Sequence, residues 1–152
     1  MKNIGVIGLG DMGSGLAKNL LANGFSVFGL DLKPDRQAAF TDMGGNLVND
    51  AAELGRRVDA AFVMVMNGDQ AKSVILGPDG LVENMHQGGV VILSATIKPH
   101  EAVEIGAAMQ GSGIDLIDTP VSGGFPGAQG GTLTMMAAAP DDVMARARPV
   151  LE

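Results

Sequence analysis

Apolar residues in this chain gather into short continuous runs, each followed by a stretch where they recur every three or four positions. Ile4–Ile7 is the first run, and Leu16, Ala17, Leu20 and Leu21 then mark one side of a helix. Gly24 stops that helix, and Ser26–Asp31 predicts a second buried strand ending in a carboxylate. Pro34 to Phe40 predicts a short helix with proline in its first turn, where a missing amide is tolerated; Gly44-Gly45 ends it. Asn49 or Asp50 caps a small helix through Leu54. Asp59–Met66 predicts a strand covered on both faces. It runs into the polar loop Asn67-Gly68-Asp69, a helix follows from Gln70 to Ile75, and Gly77–Gly80 is a turn. Val90–Leu93 is another buried strand, leading to Ser94–Pro99. The next helix carries Ala102, Val103, Ile105, Gly106 and Met109 on its apolar side and stops near Gly111-Ser112-Gly113. Ile114–Asp118 predicts one more strand, Thr119–Gly131 a loop and Thr132–Ala137 a further strand. Asp141 caps a last helix.

Strands alternating with helices at this spacing imply an α/β domain: a doubly wound, mostly parallel sheet of the Rossmann type, in three layers. In such a sheet a ligand lies beyond the carboxyl ends of the strands, where strand order reverses. Four polar or glycine-rich loops follow strands: Gly8–Gly13, Asp31–Lys33, Asn67–Asp69 and Ser94–Thr96. If they share one rim, they outline a cleft.

The first of these loops carries the chemistry. Gly8, Gly10 and Gly13 are spaced G-x-G-x-x-G between a strand and a helix. Gly8 permits the tight turn, Gly10 lets backbone approach a pyrophosphate, and Gly13 lets helix pack on strand. The helix then directs its free amides at the phosphates. Asp31 lies about 20 residues on, where an acid meets the adenosine ribose of a dinucleotide. An ionised carboxylate accepts bonds from both ribose hydroxyls and repels a 2′-phosphate, which favours NAD over NADP. Lys33 would soften that preference if its ammonium turned toward the site; as an ordinary lysine it is solvated. Asp31 could instead cap the helix at Pro34. Ser94 and Thr96 either cap the helix at Pro99 or approach the nicotinamide end.

At 152 residues, with 46% apolar side chains, the chain suits one compact domain with a real core. Aromatics at 3% leave that core to aliphatics and to the 10 methionines. There is no cysteine, hence no disulfide framework or thiol chemistry. A net charge of −7 without a basic stripe argues against nucleic acid. No export signal or membrane span is evident, so a cytoplasmic location is expected. His86 and His100 each stand isolated in polar sequence and read as solvated. No metal-ligand spacing occurs.

Gly8-Leu9-Gly10-Asp11-Met12-Gly13, followed by Leu16-Ala17 and Asn19-Leu20, resembles the start of the β-hydroxyacid dehydrogenase family. Members include 3-hydroxyisobutyrate, tartronate semialdehyde and L-threonate dehydrogenases. Asp118-Thr119-Pro120-Val121-Ser122-Gly123-Gly124, with Ala128, Gly130, Thr132 and Leu133, resembles that family's substrate-binding signature. The resemblance covers essentially the whole chain. It implies that Gly8, Leu9, Gly10, Asp11, Met12 and Gly13 form the pyrophosphate loop and that Asp31 holds the adenosine ribose. It also implies that Thr96 lies near the nicotinamide ribose, and that Ser122, Gly123 and Gly124 bind a substrate carboxylate or the hydroxyl beside it. Asn67 falls in the cofactor loop after the third long strand; many relatives have Leu-Pro where this chain has Met66-Asn67.

The same resemblance implies a second, mostly helical domain bearing the catalytic lysine, and no lysine here follows Lys98. Residues 1–152 are therefore expected to be the cofactor-binding domain alone, without a catalytic residue, and with little or no turnover. The intact protein would be an NAD-linked dehydrogenase of a small 3-hydroxy acid and a homo-oligomer. Two other classes use a glycine-rich loop on an α/β sheet. A dinucleotide sensor has no reason to contain Asp118–Gly124, and a methyltransferase has no role for a pyrophosphate turn.

Overall fold

A computed structural model describes residues 1–95 and 97–152. Six strands, β1 (Asn3–Ile7), β2 (Ser26–Leu30), β3 (Asn46–Leu47), β4 (Ala60–Val63), β5 (Val90–Leu93) and β6 (Asp115–Asp118), form one sheet. Their order is β3-β2-β1-β4-β5-β6 and every neighbouring pair is parallel. The order reverses between β1 and β4, so the crevice of the sheet opens at the carboxyl end of β1. The expected doubly wound sheet is present.

The helices are α1 (Asp11–Ala22), α2 (Pro34–Asp42), α3 (Ala51–Arg57), α4 (Gly68–Leu76), α5 (Leu81–Asn84), α6 (Pro99–Met109), α7 (Gly124–Gly130) and α8 (Asp141–Leu151). Alternation along the strands divides the core in two. Ile4, Val6, Phe62, Ile92 and Ile117 pack with Leu16, Leu20, Val143 and Ala147. On the other face Ile7, Val63, Val91 and Leu93 meet Leu54, Ile75, Leu81 and Ile105. Both faces are thus covered, which is why the strands read as unbroken apolar runs.

Several expectations need correction. The strand at 59–66 ends at Val63; Met64 and Val65 are half-buried and Met66 is 83% exposed, leaving the sheet for the rim. The 119–131 segment is not a loop throughout: it contains β7 (Val121–Ser122) and α7. The strand expected at Thr132–Ala137 shrinks to β8 (Thr134–Met135), which pairs antiparallel with β7 in a separate two-stranded sheet. Pro140, not Asp141, is the N-cap of α8, and Asp141 sits in its first turn as a charge favourable to the helix dipole. On α6, Ile105 and Met109 are buried but Val103 is 71% exposed. Val103 lies two positions from Ile105, about 200° around the helix, and so faces away. β3 and α5 carry too few residues to show a period.

At the amino end of the sheet two ion pairs tie the elements together. Asp59 accepts the amides of Lys2 and Asn3 at 2.9 and 3.1 Å, and its other oxygen lies 3.2 Å from His86 Nε2. His86 is therefore partnered, not isolated. Arg146 of α8 binds the Asp115 carboxylate and donates to the Gly88 carbonyl at 2.8 Å.

Candidate functional site

The loop from β1 to α1 has the shape its glycines predict. Gly8 adopts φ +92°, and a side chain there would strike the Met64 carbonyl. A side chain at Gly13 would strike the Gly8 carbonyl, so α1 is pressed onto the turn with no space between them. Gly10 is the N-cap of α1, and no side chain caps that end. The first-turn amides of a helix have no internal acceptors, and those of Asp11, Met12 and Gly13 lie in that turn. Gly10 is more open: the nearest atoms a Cβ would meet are those of the Arg36 guanidinium, 3.4 Å away.

Asp31 follows β2 and is built into the same loop. Its Oδ2 accepts the Leu9 amide at 2.7 Å and its Oδ1 accepts the Lys33 amide at 2.9 Å. Arg36 Nη1 lies 3.6 Å from Oδ2, and the Asp31 side chain is 7% exposed. Burial opposes its ionisation, but the amides of Lys33 and Leu9 and the Arg36 charge outweigh it, and the carboxyl is held below its ordinary range. Lys33 meets Asp31 through its backbone; its side chain is exposed. The cation facing the loop is Arg36, three residues further along. Sequence spacing missed it because a guanidinium acts at the end of a long side chain.

Two large apolar side chains flank this loop in the open. Leu32 follows β2 and is 92% exposed, and Met66 follows β4 and is 83% exposed. β2 and β4 are the two neighbours of β1. An exposed apolar side chain thus follows each of the two strands beside β1. In the sequence, Leu32 comes just after the carboxylate that ends the second strand, whereas Met66 comes just before the polar loop Asn67-Gly68-Asp69.

Asn67 serves as the N-cap of α4: its Oδ1 accepts the Gln70 amide at 2.9 Å, while Gln70 Oε1 accepts the Met66 amide at 2.8 Å. This reciprocal cap fixes the backbone that presents Met66. Ser94 follows β5 in the interior, and its hydroxyl and that of Thr119, after β6, are buried with no hydrogen-bond partner among the described residues. Thr96 lies outside the described residues.

The second motif leaves the carboxyl end of β6, on the same rim as the glycine loop. Ser122, Gly123 and Gly124 are all exposed. Gly123 at φ +131° and Gly124 at φ +59° turn the chain from β7 into α7, in conformations that favour glycine. Asp118 behind them has its carboxyl raised by burial. α7 lies along α1, and a Cβ at Gly15 would come within 2.6 Å of the Ala128 backbone. A groove of about 480 Å³ lies elsewhere, lined by Leu20, Phe25, Leu133 and Pro149 toward the far end of α1; it is not the glycine-loop crevice.

With this geometry the comparisons with known proteins agree. Residues 3–152 match the family described as the NAD binding domain of 6-phosphogluconate dehydrogenase. The chain belongs to this family. Within it, the L-threonate dehydrogenase of Cupriavidus necator is 41% identical over 150 residues, covering 99% of this chain and 50% of that protein. The 3-hydroxyisobutyrate dehydrogenase of Pseudomonas aeruginosa is 36% identical over 152 residues, covering 100% of this chain and 51% of that protein. A crystal structure of 3-hydroxyisobutyrate dehydrogenase from Salmonella typhimurium superposes with a TM-score of 0.92 at 36% identity, over 99% of this chain and 53% of that one. The chain spans about half the length of the curated relatives it matches. Its membership makes it an NAD-binding domain, as the sequence resemblance implied. Among the described residues no helix is long and apolar enough to cross a membrane, and no cluster of three or more His, Cys, Asp or Glu is placed to hold a metal.

Proposed function

We propose that this chain positions NAD for hydride exchange with a small 3-hydroxy acid, as the cofactor-binding part of a longer dehydrogenase. The observation that carries the reading is the glycine turn itself. Gly8 and Gly13 are closed to any side chain, while Gly10 and the first amides of α1 stand open at the crevice. The diphosphate would rest on the backbone of Gly8–Gly13, with Leu9, Asp11 and Met12 as its remaining residues. Asp31 would receive the adenosine ribose hydroxyls, and Leu32 and Met66 would enclose the adenine. Asn67 would act by holding Met66, and Thr96 would meet the nicotinamide ribose. NAD supplies the hydride acceptor when bound.

Ser122 would donate its hydroxyl to the substrate carboxylate, with the amides of Gly123 and Gly124 beside it. The likeness to an L-threonate dehydrogenase supports a small hydroxylated acid, sugar acids included. Removal of the hydroxyl proton needs a positioned base. No lysine follows the 118–124 motif in this chain, so the base would come from the remainder of the longer protein. Residues 1–152 alone would then bind the cofactor with little or no turnover, in a cytoplasmic enzyme whose intact chains associate. A dinucleotide sensor would use the same glycine loop but has no use for an exposed Ser122–Gly124 turn.

Titration calorimetry with NAD and NADP tests the reading. NAD binding in preference to NADP is expected, and it should disappear in Gly10→Leu. Equal or absent binding of both nucleotides, or turnover of a hydroxy acid by this chain at the rate of an intact dehydrogenase, would overturn it.

A further inference from the structure

A helix with the sequence of α7, Gly124-Phe125-Pro126-Gly127-Ala128-Gln129-Gly130, has little reason to form by itself. Three glycines and a proline in seven residues disfavour it, and short helices are marginal in water even with good sequences. Its last carbonyls also lack intrahelical donors. The structure supplies those donors from α1. Asn19 Nδ2 donates to Ala128 O at 2.7 Å and lies 3.3 Å from Gln129 O, while also reaching Gly15 O of its own helix at 2.8 Å. Gly15 and Asn19 stand four residues apart on one face, and Gly15 admits the Ala128 backbone against α1. On the α7 side, Gly131 at φ +70° brings its α-carbon so close that a Cβ would lie 2.8 Å from Asn19 Oδ1.

We propose that Asn19 is the positioning residue that fastens the Ser122–Gly124 turn to the dinucleotide helix, so that cofactor loop and substrate turn move as one body. Asn19 is half-buried and touches neither proposed ligand; it acts through α7. The helix it belongs to begins at the diphosphate loop, and the helix it caps begins at the substrate turn. Order imposed on the first turn of α1 is thereby passed to the segment that would receive the acid. The functional meaning of this coupling rests on the reading of both loops proposed above, whereas the fastening itself does not.

Hydrogen–deuterium exchange on the 152-residue chain separates the two. Asn19→Leu keeps the number and branching of the side-chain heavy atoms and removes the donors. Without nucleotide it should speed exchange of the 122–131 amides about tenfold, in keeping with the loss of one or two hydrogen bonds, and leave β1, β4 and β5 unchanged. Unchanged exchange at 122–131 would overturn the proposal. If Asn19→Leu loosens the whole chain, Gly131→Ala perturbs the same contact from the other helix and is read by the same criterion. With saturating NAD, protection should spread from Gly8–Gly13 to 122–131 in the parent chain but stop at Gly8–Gly13 in the variant. Protection at Gly8–Gly13 that never extends to 122–131 in the parent chain would refute the coupling. Absence of any protection at Gly8–Gly13 would count against the dinucleotide reading, leaving the nucleotide-free comparison to decide the role of Asn19.

Discussion

An alanine at Gly13 would drive its methyl group into the Gly8 carbonyl, and one at Gly8 would meet the Met64 carbonyl at φ +92°. Each substitution is expected to lower folding stability by about 1–3 kcal/mol, the usual cost of imposed backbone strain, measurable by urea denaturation. Alanine at Gly10 meets only the movable Arg36 guanidinium and should leave stability nearly unchanged. Asp31→Asn keeps the shape but removes the charge that faces Arg36, and should raise NADP affinity relative to NAD about tenfold, equivalent to ~1.4 kcal/mol. Because the net shift of Asp31 is downward, its ionised form contributes stability above the ordinary carboxylate pKa. That contribution is lost as pH falls through the lower folded value, so its effect on melting should be confined to below about pH 4. At this scale the sequence disclosed candidate residues whose geometry depends on backbone or on a short side chain. The three glycines and Asp31 could be placed by spacing alone. Arg36 could not, because its effect depends on where a long side chain comes to rest.

Among the elements, α2 is held by one ring. Phe40 is 1% exposed, and side chains at Gly29 of β2 or at Gly45 would collide with it. Those glycines make room for the ring, a role that a helix-stop reading of Gly44-Gly45 does not reveal. Phe40→Ala should cost about 3–5 kcal/mol, seen as a lower urea midpoint. A weaker test lies in α3, where Asp50 Oδ1 accepts the Glu53 amide at 2.7 Å and Glu53 Oε2 accepts the Asn49 amide at 2.9 Å. Asp50→Ala should cost about 1 kcal/mol. The long strands were legible because both their faces are buried, leaving no polar interruption. α7 was illegible for the opposite reason: its composition opposes helix, and its donors come from Asn19, which lies 109 positions away in sequence. Val103 shows a third case, in which an apolar residue within a helical period faces solvent.

For the molecule as a whole, the two ends of the sheet do different work. The carboxyl rim carries the glycine loop, Asp31 and the Ser122–Gly124 turn, while the amino edge carries the Asp59–His86 and Asp115–Arg146 pairs. Hydrogen bonding to the Gln87 carbonyl, together with the Asp59 carboxylate, raises the His86 pKa against burial. A raised histidine contributes fully below its unfolded pKa of about 6.5, and its contribution fades as pH rises through the folded value. His86 is 55% exposed, so the effect is small. Melting temperature should fall slightly from pH 6 to pH 8 in the parent chain, and this slope should flatten in His86→Gln. The rim was readable as a set of loops after strands, but its membership in one crevice depends on strand order, which periodicity cannot supply.

The borders of the six-stranded sheet bear on how the chain fails when it is heated. One border is β3, only two residues long; at the other, the last residue of β6 exchanges backbone hydrogen bonds with Ala138. An incoming polypeptide would find a very short ladder on one side and a partly engaged one on the other. Heat-induced precipitates should therefore be amorphous and bind little thioflavin T, even though the interior of the sheet is almost wholly aliphatic.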